Sequence, residues 1–99
     1  MDKNEVIFRI GLIRNRANLS ARALSQRIEL NDGYINRLES KKDFLPTMEV
    51  LFRIIDACNS TPAEFFYCNI DAYNNDMQII EILKGIDSNK KAALLSFLK

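Results

Sequence analysis

The stretch "LSARALSQRIELNDGYINRLES", Leu19 to Ser40, contains two helical patterns separated by a joint too short to be an ordinary loop. Ser20 is placed to cap the first, whose inward residues are Leu24 and Ile28. Glu29 and Leu30 form the joint, and Asn31 is expected to cap the second, from Asp32 to about Ser40, with Ile35 and Leu38 inward. Isolated helices below about 12 residues are marginal in water, so both must lean on a common core and be held by a rigid joint.

The flanking sequence supplies that core. Upstream, Asp2 and Glu5 have the spacing of a capping box, and Val6, Ile10, Ile13 and Ala17 predict a first helix from about Lys3 to Ala17. Downstream, after a loop from Lys41 to Pro46, Thr47 caps a fourth helix that returns Met48, Leu51, Ile54, Ile55 and Cys58 to one side. "TPAE" then sets Thr61 as N-cap, Pro62 at the first helical position and Glu64 at the third. This predicts a fifth helix, Pro62 to Cys68, carrying Phe65 and Phe66. Residues 69–75 read as a polar connector to a sixth helix, Asp76 to Lys84, and a seventh follows the Asp87-Ser88 cap region to Leu98. The expected architecture is all-α, with residues 1–68 as one domain and 76–99 as a helical tail.

Composition narrows the function classes. Ninety-nine residues with a 47% apolar share suit one packed core. No apolar run approaches the roughly 18 residues of a membrane span, and "MDKNEVIFRIG" lacks a signal-peptide core, so a cytoplasmic protein without a membrane partner is expected. Cys58 and Cys68 form no CxxC pair and the chain has no His, which supports neither a zinc site nor a disulfide framework, and no cofactor is expected. An enzyme is the poorest reading: there is no Gly-rich phosphate loop and no acid–base or nucleophile constellation. The net charge is only +1, yet residues 1–45 hold nine Lys or Arg against six Asp or Glu, while 46–99 hold five against seven. The basic half is the one with the paired short helices.

From Ile10 to Phe66 the residues resemble the lambda-repressor-like, Xre/Cro-type helix-turn-helix DNA-binding proteins. "LSARALSQRIELNDGYINRLES" matches their second and third helices, and "LPTMEVLFRIIDACNSTPAEFF" their fourth and fifth. The resemblance implies a five-helix domain, here followed by a short C-terminal pair of helices. It also implies a third helix that enters a major groove about 12 Å wide while the second crosses the phosphates of double-stranded DNA.

On that resemblance the exposed face of the third helix reads bases, which designates Asp32, Gly33, Asn36 and Arg37. Asn36 has the chemistry for adenine N6 and N7, Arg37 for guanine O6 and N7, and Asp32 for cytosine N4, while Gly33 permits close backbone approach. For Asp32 a helix-dipole role is favoured over base contact. Phosphate contacts are expected from Ser20, Arg22, Asn31, the Tyr34 hydroxyl, Arg16, Lys41 and Lys42, with simple capping the alternative at Ser20 and Asn31. Arg14 and Glu39 stand where relatives place an internal ion pair joining the first helix to the end of the third; two exposed charges are the alternative. Three positions depart from the family pattern: Glu29 where the joint usually has Gly, Ala21 where many relatives have Gln, and the residue near Lys41 where Gly usually follows the third helix.

In the tail, Met77, Ile79, Ile80, Ile82, Leu83 and Ile86 cover a wide arc of one helix, and Ala92, Leu94, Leu95, Phe97 and Leu98 do likewise on the next. Such a surface either docks on the fourth and fifth helices or completes a two-fold dimer. A homodimer is expected, with Phe65, Phe66, Ile79, Ile80, Leu83, Leu94, Leu95 and Leu98 as its surface. The leading functional reading is a transcriptional regulator, most simply a repressor at a short palindromic operator. The alternative is a protein-interaction module or antitoxin on the same fold, which holds a protein partner through the C-terminal helices.

Overall fold

The computed structural model describes residues 1–99 and contains seven α-helices: α1 (Lys3–Arg16), α2 (Ala21–Arg27), α3 (Tyr34–Lys41), α4 (Met48–Ala57), α5 (Pro62–Phe65), α6 (Tyr73–Lys84) and α7 (Ser88–Leu98). A single 3₁₀ turn, Ile70–Ala72, precedes α6. The chain divides into two units, Met1–Tyr67 and Cys68–Lys99. No helix is long and apolar enough to cross a membrane.

Side chains start most of the helices. Asp2, Ser20, Thr47, Thr61 and Asp87 each accept the backbone N–H three residues on, satisfying a donor that has no partner within its helix. Glu5 does not complete a capping box; its carboxylate pairs instead with Arg9 at 2.9 Å, one helical turn away. Asn31 is also not an N-cap. Its Oδ1 accepts the Gly33 N–H at 2.9 Å, its carbonyl accepts that of Tyr34, and regular helix begins only at Tyr34 with Gly33 at the cap position. The Asn31 side chain folds onto the backbone two residues on, as Asn does in turns, and thereby delays the helix.

The first four helices share one way of ending. Asn18, Glu29, Lys42 and Asn59 all take left-handed φ values between 56° and 61°, although none is glycine. After α1, α2 and α4 the next N–H reaches back to close a paired turn: Leu19 to Arg14, Leu30 to Ser25 and Ser60 to Ile55. Glu29 thus adopts the left-handed conformation expected of a glycine at the joint. After α3 the left-handed residue is Lys42 rather than Lys41.

The core of the first unit lies under the two short helices. Ile7, Ile10 and Ile13 of α1, Leu24 and Ile28 at α2, Ile35 and Leu38 of α3, Leu51, Ile54, Ile55 and Cys58 at α4, and Phe65 of α5 are all buried. Ile7, Ile10 and Ile13 define the inward face of α1, while Val6 and Ala17 are only half-buried; Met48, expected inward, is exposed. Phe65 is fully buried, so it belongs to this core and not to a partner surface. Helix α5 stops at Phe65, short of Cys68, and its C-terminal end is held from across the unit. Arg9, itself buried, donates to the Phe65 carbonyl at 2.8 Å and to the Tyr67 carbonyl.

In the second unit the segment expected as a connector is largely helical. Asn69 Oδ1 accepts the Asp71 N–H to start the 3₁₀ turn, and α6 follows at Tyr73. No residue of α6 or α7 is buried.

Candidate nucleic-acid interface

Helices α2 and α3 meet through a side chain that periodicity alone marks only as inward. Ser25 is fully buried; its Oγ donates to the Ala21 carbonyl at 2.8 Å and accepts the Ile35 N–H at 3.0 Å. The second residue of α3 is therefore capped from α2, a bond that fixes the two helices across their joint. Counting 100° per residue, Ile35 and Leu38 point into the core, and Gly33, Asn36, Arg37 and Ser40 form the opposite stripe. Gly33, Asn36 and Arg37 are exposed.

Arg14 ties α1 to both neighbours. Its Nε lies 3.1 Å from Glu39 Oε1, near the end of α3, and its Nη1 donates to the Leu19 carbonyl at 2.9 Å in the α1–α2 turn. Both partners of the ion pair are about four-fifths shielded from solvent, at 17% and 21% side-chain exposure, which makes it stiffer than an ordinary surface pair. Gly11 makes room for it, since a Cβ there would lie 3.0 Å from Glu39 Oε1.

At the head of α3, Asp32 is engaged by α2. Arg22 Nε approaches its Oδ2 at 3.3 Å and Gln26 Nε2 donates to its Oδ1 at 3.3 Å. This pairing is solvent-exposed and so weak, which leaves Arg22 exchangeable toward another anion. The first amides of α3 are already occupied: Asn31 takes those of Gly33 and Tyr34, and Ser25 takes that of Ile35. Ser20 at the head of α2 is exposed, with its Oγ bonded to the Ala23 N–H at 3.0 Å.

On the other flank, Phe44 packs against the outward side of α3. The Tyr34 ring meets it edge-on at 5.6 Å, and the Arg37 guanidinium carbon stands 5.5 Å from its centroid. Tyr34 is half-buried, and that desolvation raises its phenol pKa, so the hydroxyl is a neutral donor near pH 7. Among the remaining basic residues, Arg16 and Lys41 are exposed at the last turns of α1 and α3. Lys42 departs from the outward stripe and lines a cleft of about 250 Å³ with Phe8, Gly11, Leu12 and Glu39.

No capping or family pattern in the sequence marks Ser25, Gln26, Arg9 or Phe44. Helical phase does place Ser25 beside Leu24 and three residues before Ile28, and Arg9 beside Ile10, so a polar residue on an inward face was the available signal. Phe44 follows the helix, where periodicity carries no information.

Two short helices capped to one another over a shared core, with an exposed polar stripe on the second, define a helix-turn-helix domain. A helix-turn-helix family model matches residues 10–65, and the chain belongs to the lambda-repressor/Xre-like helix-turn-helix family, whose members are DNA-binding regulators. Neither the comparison with curated proteins nor that with solved structures found a match.

Proposed function

We propose that the protein is a sequence-specific regulator of transcription, most simply a repressor, which reads a short palindromic operator as a homodimer with α3 in the major groove. The observation that carries this reading is the outward stripe of α3, on which Gly33, Asn36 and Arg37 are exposed while the opposite residues anchor the helix in the core. Asn36 offers a paired donor and acceptor to adenine, and Arg37 a fork of donors to guanine. Gly33 has φ −91°, and an added Cβ would meet Asn31 Oδ1 at 3.4 Å, an ordinary van der Waals contact, so the fold itself does not demand a glycine. Its lack of a side chain serves close approach to the duplex.

Ser20, Arg22, Asn31, Tyr34, Arg16 and Lys41 supply phosphate contacts around this stripe. Arg22 exchanges Asp32 for phosphate on binding, and Asp32 acts at the helix dipole rather than on a base. Arg14 and Glu39 orient α3 from α1. The dimer forms through α6 and α7, where Ile79, Leu95 and Leu98 are at least half exposed and Ile80, Leu83 and Leu94 flank them, with Phe66 available on the first unit. One reading head with a few base contacts gives limited discrimination, and a two-fold pair doubles the site.

Selection from a random double-stranded DNA library at near-physiological salt tests the proposal. Wild type should enrich a palindrome, and the Asn36→Ala, Arg37→Ala double variant should not. Weak binding without enrichment, lost as salt rises, would instead favour a protein partner held by the C-terminal helices. A monomer in sedimentation, both free and on the selected DNA, would refute the dimer.

A further inference from the structure

We infer that Phe44 is a positioning residue for base recognition, holding the Arg37 guanidinium in the pose that meets guanine; this rests on the reading of Arg37 as a base-contacting residue. Arginine is a long side chain with many rotamers, and ordering it at the moment of binding subtracts from affinity and from discrimination. A side chain already held in place subtracts less.

Three features favour Phe44 as the holder. First, its ring stands 5.5 Å from the Arg37 guanidinium carbon, within the range of attraction between a cation and the negative face of a ring. Second, the ring is itself packed on α3, because Tyr34, one turn before Arg37, meets it edge-on at 5.6 Å and 63°. Third, the contact uses no hydrogen-bond donor, so the guanidinium keeps its N–H groups for guanine O6 and N7. Arg22, on the neighbouring helix, shows the other arrangement: its Nε faces the Asp32 carboxylate, which a phosphate would have to displace. The ring therefore orients Arg37 without competing for what Arg37 must offer.

The experiment compares wild type, Arg37→Ala, Phe44→Leu and Phe44→Tyr. In the free protein, the Arg37 side-chain CH₂ protons next to the guanidinium should show an upfield ring-current shift by NMR, lost in Phe44→Leu and kept in Phe44→Tyr. On DNA, the base pair whose guanine preference disappears in Arg37→Ala should show about a two- to fivefold weaker preference in Phe44→Leu, the size expected of an exposed cation–ring contact. Phe44→Tyr should restore it, and the salt dependence of binding should stay unchanged because no phosphate contact is lost. A purely structural role would lower the melting temperature and affinity for all sequences alike, leaving the preference ratio intact, and that result would overturn the inference. So would the absence of the upfield shift in wild type, which decides the matter even if Phe44→Leu fails to fold. If Arg37→Ala leaves every base preference in place, the base-contact reading falls and this one with it; full preference in Phe44→Leu alone removes only the role of Phe44.

Discussion

The hydroxyl of Ser25 on α2 accepts the backbone N–H of Ile35 on α3 at 3.0 Å, inside a site with no solvent exposure. The angle between the two helices thus depends on a bond that either partner alone would leave unsatisfied. Ser25→Ala should destabilise the domain by about 1–3 kcal/mol, because the Ile35 N–H would stay buried without an acceptor. Chemical denaturation with far-UV circular dichroism measures this, and a midpoint equal to wild type would show that the bond contributes nothing.

Glu29 sits at φ 61°, where a side chain is strained and a glycine is not. Glu29→Gly should therefore stabilise the protein by about 1 kcal/mol, raising the melting temperature by about 4–8 °C in a domain of this size. Glu29→Val, branched at Cβ, should move it the other way. Equal melting temperatures for all three would mean that the joint relaxes to another turn.

Gly33 offers a test that separates folding from binding. With φ −91° and only a 3.4 Å contact awaiting a new Cβ, Gly33→Ala should fold with unchanged or slightly higher stability. If the backbone there approaches DNA closely, the same methyl should weaken operator binding about tenfold or more, a shift of roughly 1.4 kcal/mol. Calorimetry and a binding titration on one preparation give both values, and undiminished affinity would place Gly33 outside the contact.

Cys58 is buried, and that desolvation pushes its thiol up to about 11 from an ordinary 9.0, opposed in part by the Arg14 and Arg27 charges. The native state therefore retains a proton that the unfolded chain releases. Stability contributed by this group is intact below about pH 9 and declines as pH rises from there toward 11. Melting curves across that window should fall more steeply for wild type than for Cys58→Ala, and parallel slopes would contradict the assignment. Exposed Cys68 should react with a thiol reagent under native conditions while Cys58 stays protected until unfolding.

The parts of the fold legible in the sequence are those decided within a few residues. Ser20, Thr47, Thr61 and Asp87 announce helix starts because a capping side chain needs only the amide three positions on. Leu24, Ile28, Ile35 and Leu38 announce the inward faces by spacing alone. Asn31 reads as a cap in sequence but forms a turn, because the same side chain serves either, and Ser25 takes the Ile35 amide from another helix. Arg9 and Phe44 lay beyond reach for a related reason: the Phe65 and Tyr67 carbonyls are more than fifty positions away from Arg9, and Phe44 acquires its role only once the chain after α3 folds back on it. The Arg14 and Glu39 pair, 25 positions apart, was suggested by resemblance and not by any local pattern.

Arg9 also sets how short a working fragment can be. Arg9 is 5% exposed, and its guanidinium is paired on one side with Glu5 and bonded on the other to the carbonyls of Phe65 and Tyr67. A chain trimmed before Phe65 would lose both carbonyls and the fully buried Phe65 ring together, leaving Arg9 with Glu5 as its remaining named partner and the core open at that end. The natural place to cut lies after Tyr67, where the last turn of the domain and its first helix are fastened by one side chain, like a clasp closing a necklace at its two ends.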